Sequence, residues 1–590
     1  MRKTMWGFLS LVLVFTLILS ACSGGEKNKN AAPKETNSTN ATKESTDSTE
    51  EKAKEEEKTT ATDGLIEATD MSLLPAAAAN RKDTMIIGMT DPKGIFNPLF
   101  METSYDYYVN YALFDSFIGV KPDGTYENSL ADKVDVSEDG LKYTYHLKPG
   151  VTFSDGTPMT VKDYYFTLKM YMDKSYDGQS DPLSWNIKGA KEYNEGKSKE
   201  ISGVKIIDDQ TVEVTLTEFT ALTPVELGGV YILPEHYYGK AYKQGSLDGV
   251  KKLNAKPLGS GQYKLVSYSP GQEVVFEAND KYFLGAPKVK NLIYKTTTDT
   301  TNMPMLQQGE IDMEEGISVS EDNVEALKEM GFVDINLLPN NGYGYIAFNH
   351  KLKKFQDVKV RQALTYGLNR KDIVEGIYGP YADVINIPES TVSWAYTDEN
   401  IEKYEFDLEK AKALLDEAGW KVGKDGIREK DGEKFKINFA ATADNPVVDA
   451  LLPIMTQNYK ELGIDIVAET LDFNAVMDKS NTGDFEMFFA AWGLTPDPDN
   501  TVYTTKGSQN DTGYSNAKVD ELMAKGKKTM DVEQRKQIYK EMYQEMNKDL
   551  PVIFMYQRKN MLAINGRLDG FDISPYKDFP FSLYQVQVAQ

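Results

Sequence analysis

Residues 484–500 read D-F-E-M-F-F-A-A-W-G-L-T-P-D-P-D-N, and this stretch decides the predicted fold. Its first half, residues 485–491, is an almost continuous apolar run, which is typical of a strand buried on both faces. Trp492 and Gly493 follow, and a Pro-Asp-Pro-Asp-Asn turn then gathers a large ring, exposed backbone and carboxylates at one strand end. Because open α/β proteins bind ligands outside the carboxyl ends of their strands, the stretch predicts a ligand site. The alternative is a core strand followed by a proline-fixed turn.

Length and charge limit the classes of protein to which the chain can belong. At 590 residues the chain is too long for one hydrophobic core, so two or three domains are expected. Its formal net charge of −24 opposes nucleic-acid binding, which needs a basic face, and adsorption to anionic lipid. The three histidines, His146, His236 and His350, do not stand in metal-ligand spacing. Neither a metal site nor a cofactor is therefore expected.

The single cysteine, Cys22, indicates a targeting segment at the N-terminus. It follows a basic start, an apolar run over residues 5–19 and two small residues, which is the pattern of a secretory signal peptide over residues 1–21. An uncleaved membrane anchor is the alternative. The sequence L-S-A-C at 19–22 resembles the bacterial lipobox. That resemblance implies cleavage before Cys22 and its diacylation, and two acyl chains would anchor the protein stably to the outer face of the cell membrane.

The region after the cysteine has the composition of a tether. Residues 22–82 are rich in Gly, Asn, Thr, Ser, Lys and Glu and contain few apolar side chains. Such a sequence cannot bury enough apolar surface to offset the entropy of ordering, so a disordered tether is predicted. A charged helix over residues 50–58 is less favoured because this run lacks length and an apolar face.

Periodicity predicts an alternation of strands and helices in the rest of the chain. Apolar runs and period-two alternation predict strands over 84–90, 142–148, 211–217, 340–349, 464–471 and 551–556. Capping residues and apolar faces predict helices that begin after Thr160, Asp407 and Asp531, and further helices over 111–117 and 448–462. Because helices and strands alternate from about residue 343 to residue 555, this part should form an α/β lobe.

Several catalytic motifs are missing from the sequence. The glycine-rich stretch at 257–266 does not have the spacing of a phosphate-binding loop, and its glycines more plausibly form a turn between domains. There is no G-x-S-x-G elbow or H-E-x-x-H motif, and the few histidines leave little scope for a general base. An enzyme is therefore not expected.

Six blocks of sequence, in the same order, resemble one family. They are L-K-Y-T-Y-H-L-K-P-G-V-T-F-S-D-G-T-P-M-T-V-K-D at 141–163, G-S-G-Q-Y-K-L at 259–265, Y-F-L-G-A-P at 282–287, D-V-K-V-R-Q-A-L at 357–364 with N-R at 369–370, E-A-G-W at 417–420 and A-W-G at 491–493. Together they span about residues 84–584 and resemble the oligopeptide and dipeptide substrate-binding proteins of ABC importers, the extracytoplasmic solute-binding proteins of family 5.

The resemblance implies an α/β fold of the bilobal, periplasmic-binding-protein-like type II class. Such a fold has three domains and two crossing hinge strands, expected here near residues 343–345 and 555–556. Domain I would comprise residues 84–119, 259–342 and 556–590, domain II residues 120–258 as an insertion in the first lobe, and domain III residues 343–555.

By the same resemblance, the chain would be a lipid-anchored, monomeric receptor that captures oligopeptides between its lobes and delivers them to the permease subunits of an ABC importer. A peptide held as an added β-strand is recognised through its backbone and therefore with little sequence selectivity. The resemblance places Ala491, Trp492 and Gly493 along the peptide backbone. On the facing lobe it places Glu102, Thr103 and Ser104. Tyr343, Tyr345 and Tyr514 are candidates for the cleft lining, with core packing as the alternative for each.

The sequence departs from the family pattern at the position that holds the peptide's amino group. Many relatives have an aspartate three residues after this tryptophan, whereas this chain has Thr495. A hydroxyl cannot neutralise an ammonium group, and an unpaired buried charge is costly. Either Asp497 replaces the aspartate, or the ligand lacks a free amino terminus; a solvated turn is the structural alternative for Asp497. Arg361 and Arg370 could bind a ligand carboxylate or form structural ion pairs.

Two alternatives stay open at this point, a receptor for a non-peptide ligand and a receptor for a peptide pheromone. Relatives of this family bind nickel complexes, haem or oligosaccharides, and a receptor for a peptide pheromone would use the same cleft. The sequence does not determine peptide length, side-chain preference or the cognate permease.

Overall fold

The structure is a computed structural model that describes residues 64–443, 445–498, 501–507 and 509–589. Cys22, the predicted signal peptide, residues 22–63 of the predicted tether and Asp499 lie outside the described residues. One path of hydrogen-bonded strands runs through the fold. In spatial order its strands are Asp465–Leu471, Lys436–Thr442, Met487–Gly493, Gly342–Phe348, Val552–Asn565, Met313–Glu314, Thr84–Met89, Asn291–Thr296, Glu273–Ala278 and Tyr263–Ser269.

The strand Val552–Asn565 joins the two halves of this path. Its first part, residues 552–556, pairs antiparallel with Gly342–Phe348, and its second part, residues 559–565, pairs antiparallel with Val333–Pro339. Between the two parts, the Asn340 N–H donates to the Arg558 carbonyl (2.9 Å). Gln557 Nε2 donates to the Asn340 carbonyl (2.7 Å). We call the described residues up to 339 and from 559 onward lobe 1, and residues 342–556 lobe 2.

Lobe 1 carries a separate four-stranded sheet within residues 120–258. Its strands, in spatial order, are Ala131–Val136, Lys142–Leu147, Thr211–Thr215 and Val204–Ile206. The helix Val161–Tyr171 begins at the predicted capping box, in which the Thr160 N–H donates to Asp163 Oδ2 (2.9 Å). The helix Ser104–Leu113 packs against the larger sheet of the same lobe, where its contacts include the strand Tyr263–Ser269.

Lobe 2 is built as the periodicity predicts. Its longer helices are Val358–Tyr366, Arg370–Tyr378, Leu408–Glu417, Pro446–Glu461, Phe473–Thr482, Ala517–Lys527 and Val532–Asp549. The predicted helix starts at Asp407 and Asp531 are confirmed, since each side chain caps its helix by accepting a backbone N–H. The helix predicted over 448–462 is confirmed as Pro446–Glu461, and the left-handed Gly463 (φ 78°) follows its end.

The prediction of a disordered tether up to residue 82 is wrong for residues 64–82. The strand Gly64–Ile66 pairs antiparallel with Val333–Pro339, and the N–H groups of Thr69 and Asp70 donate to the Gly331 carbonyl. Composition alone misses this segment because backbone pairing to a sheet edge, rather than burial of many apolar side chains, fixes its position.

Three predicted boundaries also change. The helix expected over 111–117 is Ser104–Leu113 instead, because Thr103 accepts the Asp106 N–H (3.2 Å) and fixes the N-terminus about two turns earlier than the aromatic pattern indicated. The strand expected over 551–556 continues to Asn565. The strand at 485–491 is Met487–Gly493, and it is buried on both faces only as far as Phe489.

A buried ionic cluster joins Arg81 and Arg567 to Asp312 in lobe 1. Asp312 is fully buried and binds Arg567 through two hydrogen bonds, Nε to Oδ1 (2.8 Å) and Nη2 to Oδ2 (2.7 Å). Arg81 Nη2 donates to the same carboxylate (2.5 Å), and so does the Ile86 N–H (2.9 Å). Four donors therefore compensate for the desolvation of this one carboxylate.

We expect Asp312→Asn to lower the free energy of unfolding by about 3–5 kcal/mol, because it leaves the buried Arg567 guanidinium without a counter-charge. Denaturant-induced unfolding measures the change. Glu409→Gln is the matched control, since it breaks the solvent-exposed pair with Lys412 and should cost under about 1 kcal/mol. Equal stability of the two variants would contradict the structural role of the cluster.

Candidate ligand-binding cleft

A cavity of about 700 Å³ lies where the two lobes meet, and we call it the cleft cavity. Its volume lies in the range of about 300–1,000 Å³ that is usual for small-molecule sites. Lobe 1 contributes Tyr105, Tyr108, residues 315–320, Asn560, Met561, Leu562, Asp578 and Phe579. Lobe 2 and the crossing strand contribute Ile377, Tyr378, Thr442, Asn445, Pro446, Val447, Phe473, Phe489, Ala490, Ala491, Tyr556 and Arg558.

The strand Met487–Gly493 presents an open edge near this cavity. It pairs with Gly342–Phe348 along its whole length, but on the other side Lys436–Thr442 reaches only Met487 and Phe488. Ala491 and Gly493 are exposed, and Ala491 lines the cavity.

The register of the ladder shows which backbone groups face the open edge. At one end the Leu494 N–H donates to the Asn341 carbonyl (2.8 Å), and at the other the Asn349 N–H donates to the Glu486 carbonyl (3.0 Å). Hydrogen-bonded pairs alternate with non-bonded pairs in an antiparallel ladder. The N–H and C=O groups of Ala491 and Gly493 therefore point away from the partner strand.

A glycine in the partner strand makes room for one wall of the cavity. A Cβ atom on Gly344 would lie 2.7 Å from the ring of Tyr556. That ring stacks on Phe489 at a centroid distance of 6.2 Å, and its hydroxyl accepts a hydrogen bond from the Tyr378 hydroxyl (3.1 Å). Gly344 is thus required for Tyr378, Phe489 and Tyr556 to line the cavity together.

Trp492 and the three candidate tyrosines lie away from the cavity lining. Trp492 is half-buried and stacks parallel on Tyr345 (centroid distance 6.1 Å, interplanar angle 1°) on the opposite face of the sheet from Ala491. Tyr343 shares a hydrogen bond with the Tyr503 hydroxyl (2.8 Å), and Tyr514 donates to Asp549 (2.9 Å). The three tyrosines are part of the lobe 2 core, which agrees with the alternative that they pack in the core rather than line the cleft.

The carboxylate of Asp497 is already paired within the protein. Its two oxygens accept hydrogen bonds from Arg535, Oδ2 from Nη1 (3.0 Å) and Oδ1 from Nη2, and the residue is buried rather than on a solvated turn. Arg535 also lies over the rings of Trp394 (5.0 Å) and Tyr539 (5.5 Å). Thr495 Oγ1 donates to the Asp497 carbonyl (2.6 Å). The structure does not bring either residue to the cavity lining as a free amine acceptor.

The predicted residues on the facing lobe have local roles. Glu102 is exposed and pairs with Lys93 (2.9 Å), Thr103 caps the helix Ser104–Leu113, and Ser104 is the first residue of that helix. The sequence interpretation missed Tyr105 and Tyr108, which line the cavity from the same helix. Their separation of three residues, which places both side chains on one helical face, is the signal that could have identified them.

Two arginines that could have bound a ligand carboxylate are structural. Arg361 is buried, pairs with Asp549 (2.6 Å) and donates to backbone carbonyls, including that of Phe355 (2.7 Å). Arg370 is buried as well and donates to the Phe554 carbonyl (2.7 Å) and to other backbone carbonyls of lobe 2. Both guanidinium groups are used to satisfy carbonyls in the core.

Three charged residues line the cleft cavity: Glu315, Arg558 and Asp578. None belongs to a recognisable motif, so the sequence interpretation missed all three. Tyr108 donates a hydrogen bond to Glu315 Oε1 (3.1 Å). Burial raises the pKa of the Glu315 carboxyl above its usual value.

The described residues contain neither a cluster of metal ligands nor a helix that could span a membrane. Within residues 64–589, apart from the gaps named above, no three His, Cys, Asp or Glu side chains form a group that could hold a metal ion. In the same part of the chain, no helix has the length and apolar character required to cross a bilayer.

The family model and the curated relatives that match this chain agree with each other. The family described as bacterial extracellular solute-binding proteins, family 5 Middle, matches residues 125–513. The chain is 28% identical to the oligopeptide-binding protein AppA of Bacillus subtilis (strain 168) over 596 residues, which cover 99% of this chain and 98% of the relative.

Solved structures agree with this result. The structure of Bacillus subtilis AppA in complex with a nonapeptide matches with a TM-score of 0.75 at 28% identity, covering 86% of this chain and 99% of that one. NikZ from Campylobacter jejuni in complex with Ni(L-His) matches with a TM-score of 0.73 at 25% identity, covering 86% and 100%. The predicted bilobal α/β fold of the type II class is thereby confirmed.

We expect Asp497→Asn to lower the free energy of unfolding by about 3–5 kcal/mol, because Arg535 would remain buried without its counter-charge. Replacing both partners, as Asp497→Leu with Arg535→Met, should restore most of the loss. Thermal and denaturant unfolding of the two variants measure the difference. A loss under about 1 kcal/mol in Asp497→Asn would instead indicate a carboxylate that is free to bind a ligand.

Proposed function

The chain belongs to family 5 of the bacterial extracellular solute-binding proteins, and on this basis we propose that it captures peptides in the cleft cavity and delivers them to an ABC importer. Members of this family are binding receptors rather than enzymes. The observation that carries the peptide assignment is the open edge of the strand Met487–Gly493, where exposed Ala491 and Gly493 turn backbone donors and acceptors outward. An extended peptide can add to such an edge as a further strand.

Recognition by strand addition suits a receptor for peptides of varied sequence. Main-chain hydrogen bonds supply affinity that does not depend on the ligand's side chains, and pockets for alternate side chains tune it. Tyr378, Phe473 and Tyr556 offer aromatic surface for such side chains. AppA, the relative with a nonapeptide in its structure, supports this ligand class.

Contacts between the lobes support closure over the ligand. The Ala221 N–H donates to the Lys527 carbonyl (2.7 Å), and Glu218 pairs with Lys528, so the inserted part of lobe 1 touches the end of the helix Ala517–Lys527 in lobe 2. The crossings at 340–341 and 557–558 supply the hinge about which two rigid lobes could open. A closed state would be favoured by ligand contacts to both lobes.

The finer organisation is part of the same proposal. We place domain I at residues 64–119, 259–342 and 556–590, domain II at 120–258 and domain III at 343–555, with the first boundary moved from 84 to 64 by the strand Gly64–Ile66.

Diacylation of Cys22 would hold a monomeric receptor at the outer face of the cell membrane beside its permease. Mass spectrometry of the mature N-terminus tests the lipid.

Titration calorimetry with short peptides, oligosaccharides and Ni(L-His) tests the ligand class. We expect heat from the peptides and a negative heat-capacity change, because closure buries apolar surface. Mass analysis of a ligand that co-purifies provides an independent identification. Binding of Ni(L-His) or sugars without binding of any peptide would contradict the proposal.

Ala491→Pro tests strand addition directly. It removes an N–H that faces the open edge and leaves the ladder to Gly342–Phe348 without a lost donor. We expect peptide affinity to fall roughly threefold to tenfold, as for the loss of one hydrogen bond, with little change in stability. Ala491→Ser keeps the N–H and is the control. Unchanged affinity in the proline variant would contradict backbone recognition at this position.

A further inference from the structure

We propose that Glu315 and Asp578, on the lobe 1 wall of the cleft cavity, bind a protonated amino group of the ligand. The proposal rests on the proposed function, because it takes the cleft cavity as the peptide site. It moves recognition of the ligand's positive charge from the turn at 495–497 in lobe 2 to the opposite wall.

The fold brings the two carboxylates to the same end of the cavity. Glu315 follows the short strand Met313–Glu314, and Asp578 precedes the 3-10 turn Phe579–Ser582. Tyr108 links them: its hydroxyl donates to Glu315 Oε1 (3.1 Å), and its ring lies 5.0 Å from the ring of Phe579, measured between centroids. Residues far apart in the chain thus place two negative charges around one tyrosine.

Neither carboxylate has a cationic partner in the described part of the protein. The ion pairs within 4.0 Å among these residues include neither Glu315 nor Asp578. In contrast, both carboxylate oxygens of Asp497, which the sequence suggested as the amine acceptor, bind Arg535. Arg558 lines the same cavity and lowers the pKa of Glu315 through space, but it does not reach ion-pairing distance.

Asp578 also lacks the local partner that its position in the chain offers. It occupies the N-cap of the turn Phe579–Ser582 with extended backbone (φ −69°, ψ 159°), yet its side chain accepts no capping hydrogen bond. In the same structure Asp407, Asp472 and Asp531 all cap their helices by accepting a backbone N–H. An N-cap aspartate normally gains stability from this bond. The side chain of Asp578 is available to the cavity instead.

The electrostatics of the site favour a bound cation. Burial raises the pKa of Glu315, and the nearby Asp578 raises it further. The side chain of Asp578 is partly open to solvent, and the protein around it still desolvates the carboxyl and raises its pKa as well. Behind them the buried Glu314, whose pKa is raised to about 7 by desolvation, adds negative potential when ionised. A cation between Glu315 and Asp578 would relieve these costs.

An amino group fits this site better than a metal ion. Two carboxylates provide fewer oxygen ligands than a hard divalent cation requires, while an ammonium group has three donors for them and for the Tyr108 hydroxyl. Ala490 and Ala491 line the same cavity, so a peptide added to the open edge would have its charged groups within this space. The turn at 495–497 offers no free carboxylate to compete, since Asp497 is bound by Arg535.

Titration calorimetry on a panel of peptides tests the proposal. The panel contains Ala-Phe-Ala-Ala, its N-acetyl derivative, and N-acetyl-Ala-Phe-Ala-Lys, so that an α-amino group and a lysine amino group are distinguished. We expect the wild type to bind at least one of the two amine-bearing peptides roughly tenfold to a hundredfold more tightly than the acetylated peptide without lysine, as for hydrogen bonds to a charged group.

Glu315→Gln and Asp578→Asn should each reduce this preference, and the double variant should abolish it, while affinity for the acetylated peptide without lysine stays unchanged. Asp299→Asn is the matched control. It removes a negative charge that raises the pKa of Tyr105 in the same lobe but does not line the cavity, so the preference should persist.

Two results would overturn the inference while the proposed function stands: peptides bind but neither amine-bearing peptide binds the wild type more tightly than the acetylated peptide without lysine, or the preference survives in the double variant. Binding of CaCl₂ that is lost in the double variant, without discrimination between the amine and acetylated peptides, would assign the pair to an inorganic cation and also overturn it. If no peptide of any kind binds, the proposed function fails and the inference fails with it.

Discussion

One strand belongs to both lobes, and the geometry of the cleft depends on it. The strand Val552–Asn565 exchanges its partner from Gly342–Phe348 to Val333–Pro339 within three residues, without ending. At the exchange the Asn340 N–H donates to the Arg558 carbonyl and the Gln557 amide donates to the Asn340 carbonyl, so each crossing segment supplies a partner for a peptide group of the other. A continuous backbone ladder of this kind holds the lobes in register, and the short strand Ala382–Asp383 also pairs with the crossing at Gln557 and Arg558.

The same crossing positions the open strand edge that we propose as the binding surface. Gly342–Phe348 follows the crossing strand into lobe 2 and carries Met487–Gly493 on its other edge, while Lys436–Thr442 stops pairing after Phe488. A strand edge in the middle of a protein is normally covered, because unpaired N–H and C=O groups invite another chain. In the proposed function, a peptide ligand uses this tendency by pairing with the open edge.

Charges in the protein divide into two groups by their surroundings. Arg361, Arg370 and the pair Asp497–Arg535 are buried and bound by partners within lobe 2, so they stabilise that lobe. Glu315, Arg558 and Asp578 line the cavity without forming ion pairs with other described residues. Because an unpaired buried charge is costly, the buried charges of lobe 2 have partners and are structural. The three charged residues of the cavity form no ion pair and are therefore candidates for ligand recognition.

The sequence by itself determined the fold class, the family, the starts of the helices after Thr160, Asp407 and Asp531, and the strand that carries the open edge. These follow from local signals: apolar runs, capping residues such as Asp407 and Asp531, and blocks of residues in a fixed order. It also identified 484–500 as the stretch to examine, because an apolar strand that ends in Trp-Gly-x-x-Pro is visible without any partner, and the family resemblance then singled out 491–493.

Only the tertiary structure decided which side chains share the cavity. Asp497 looked free in the sequence because Arg535, its partner, lies 38 residues away. Glu315 and Asp578 carry no motif, and their proximity arises from the packing of Tyr108 between two distant loops. Likewise, Gly64–Ile66 looked like tether until its pairing partner near residue 335 was known. Local propensity is encoded residue by residue, whereas the pairing of charges and strand edges depends on contacts that the chain makes only when folded.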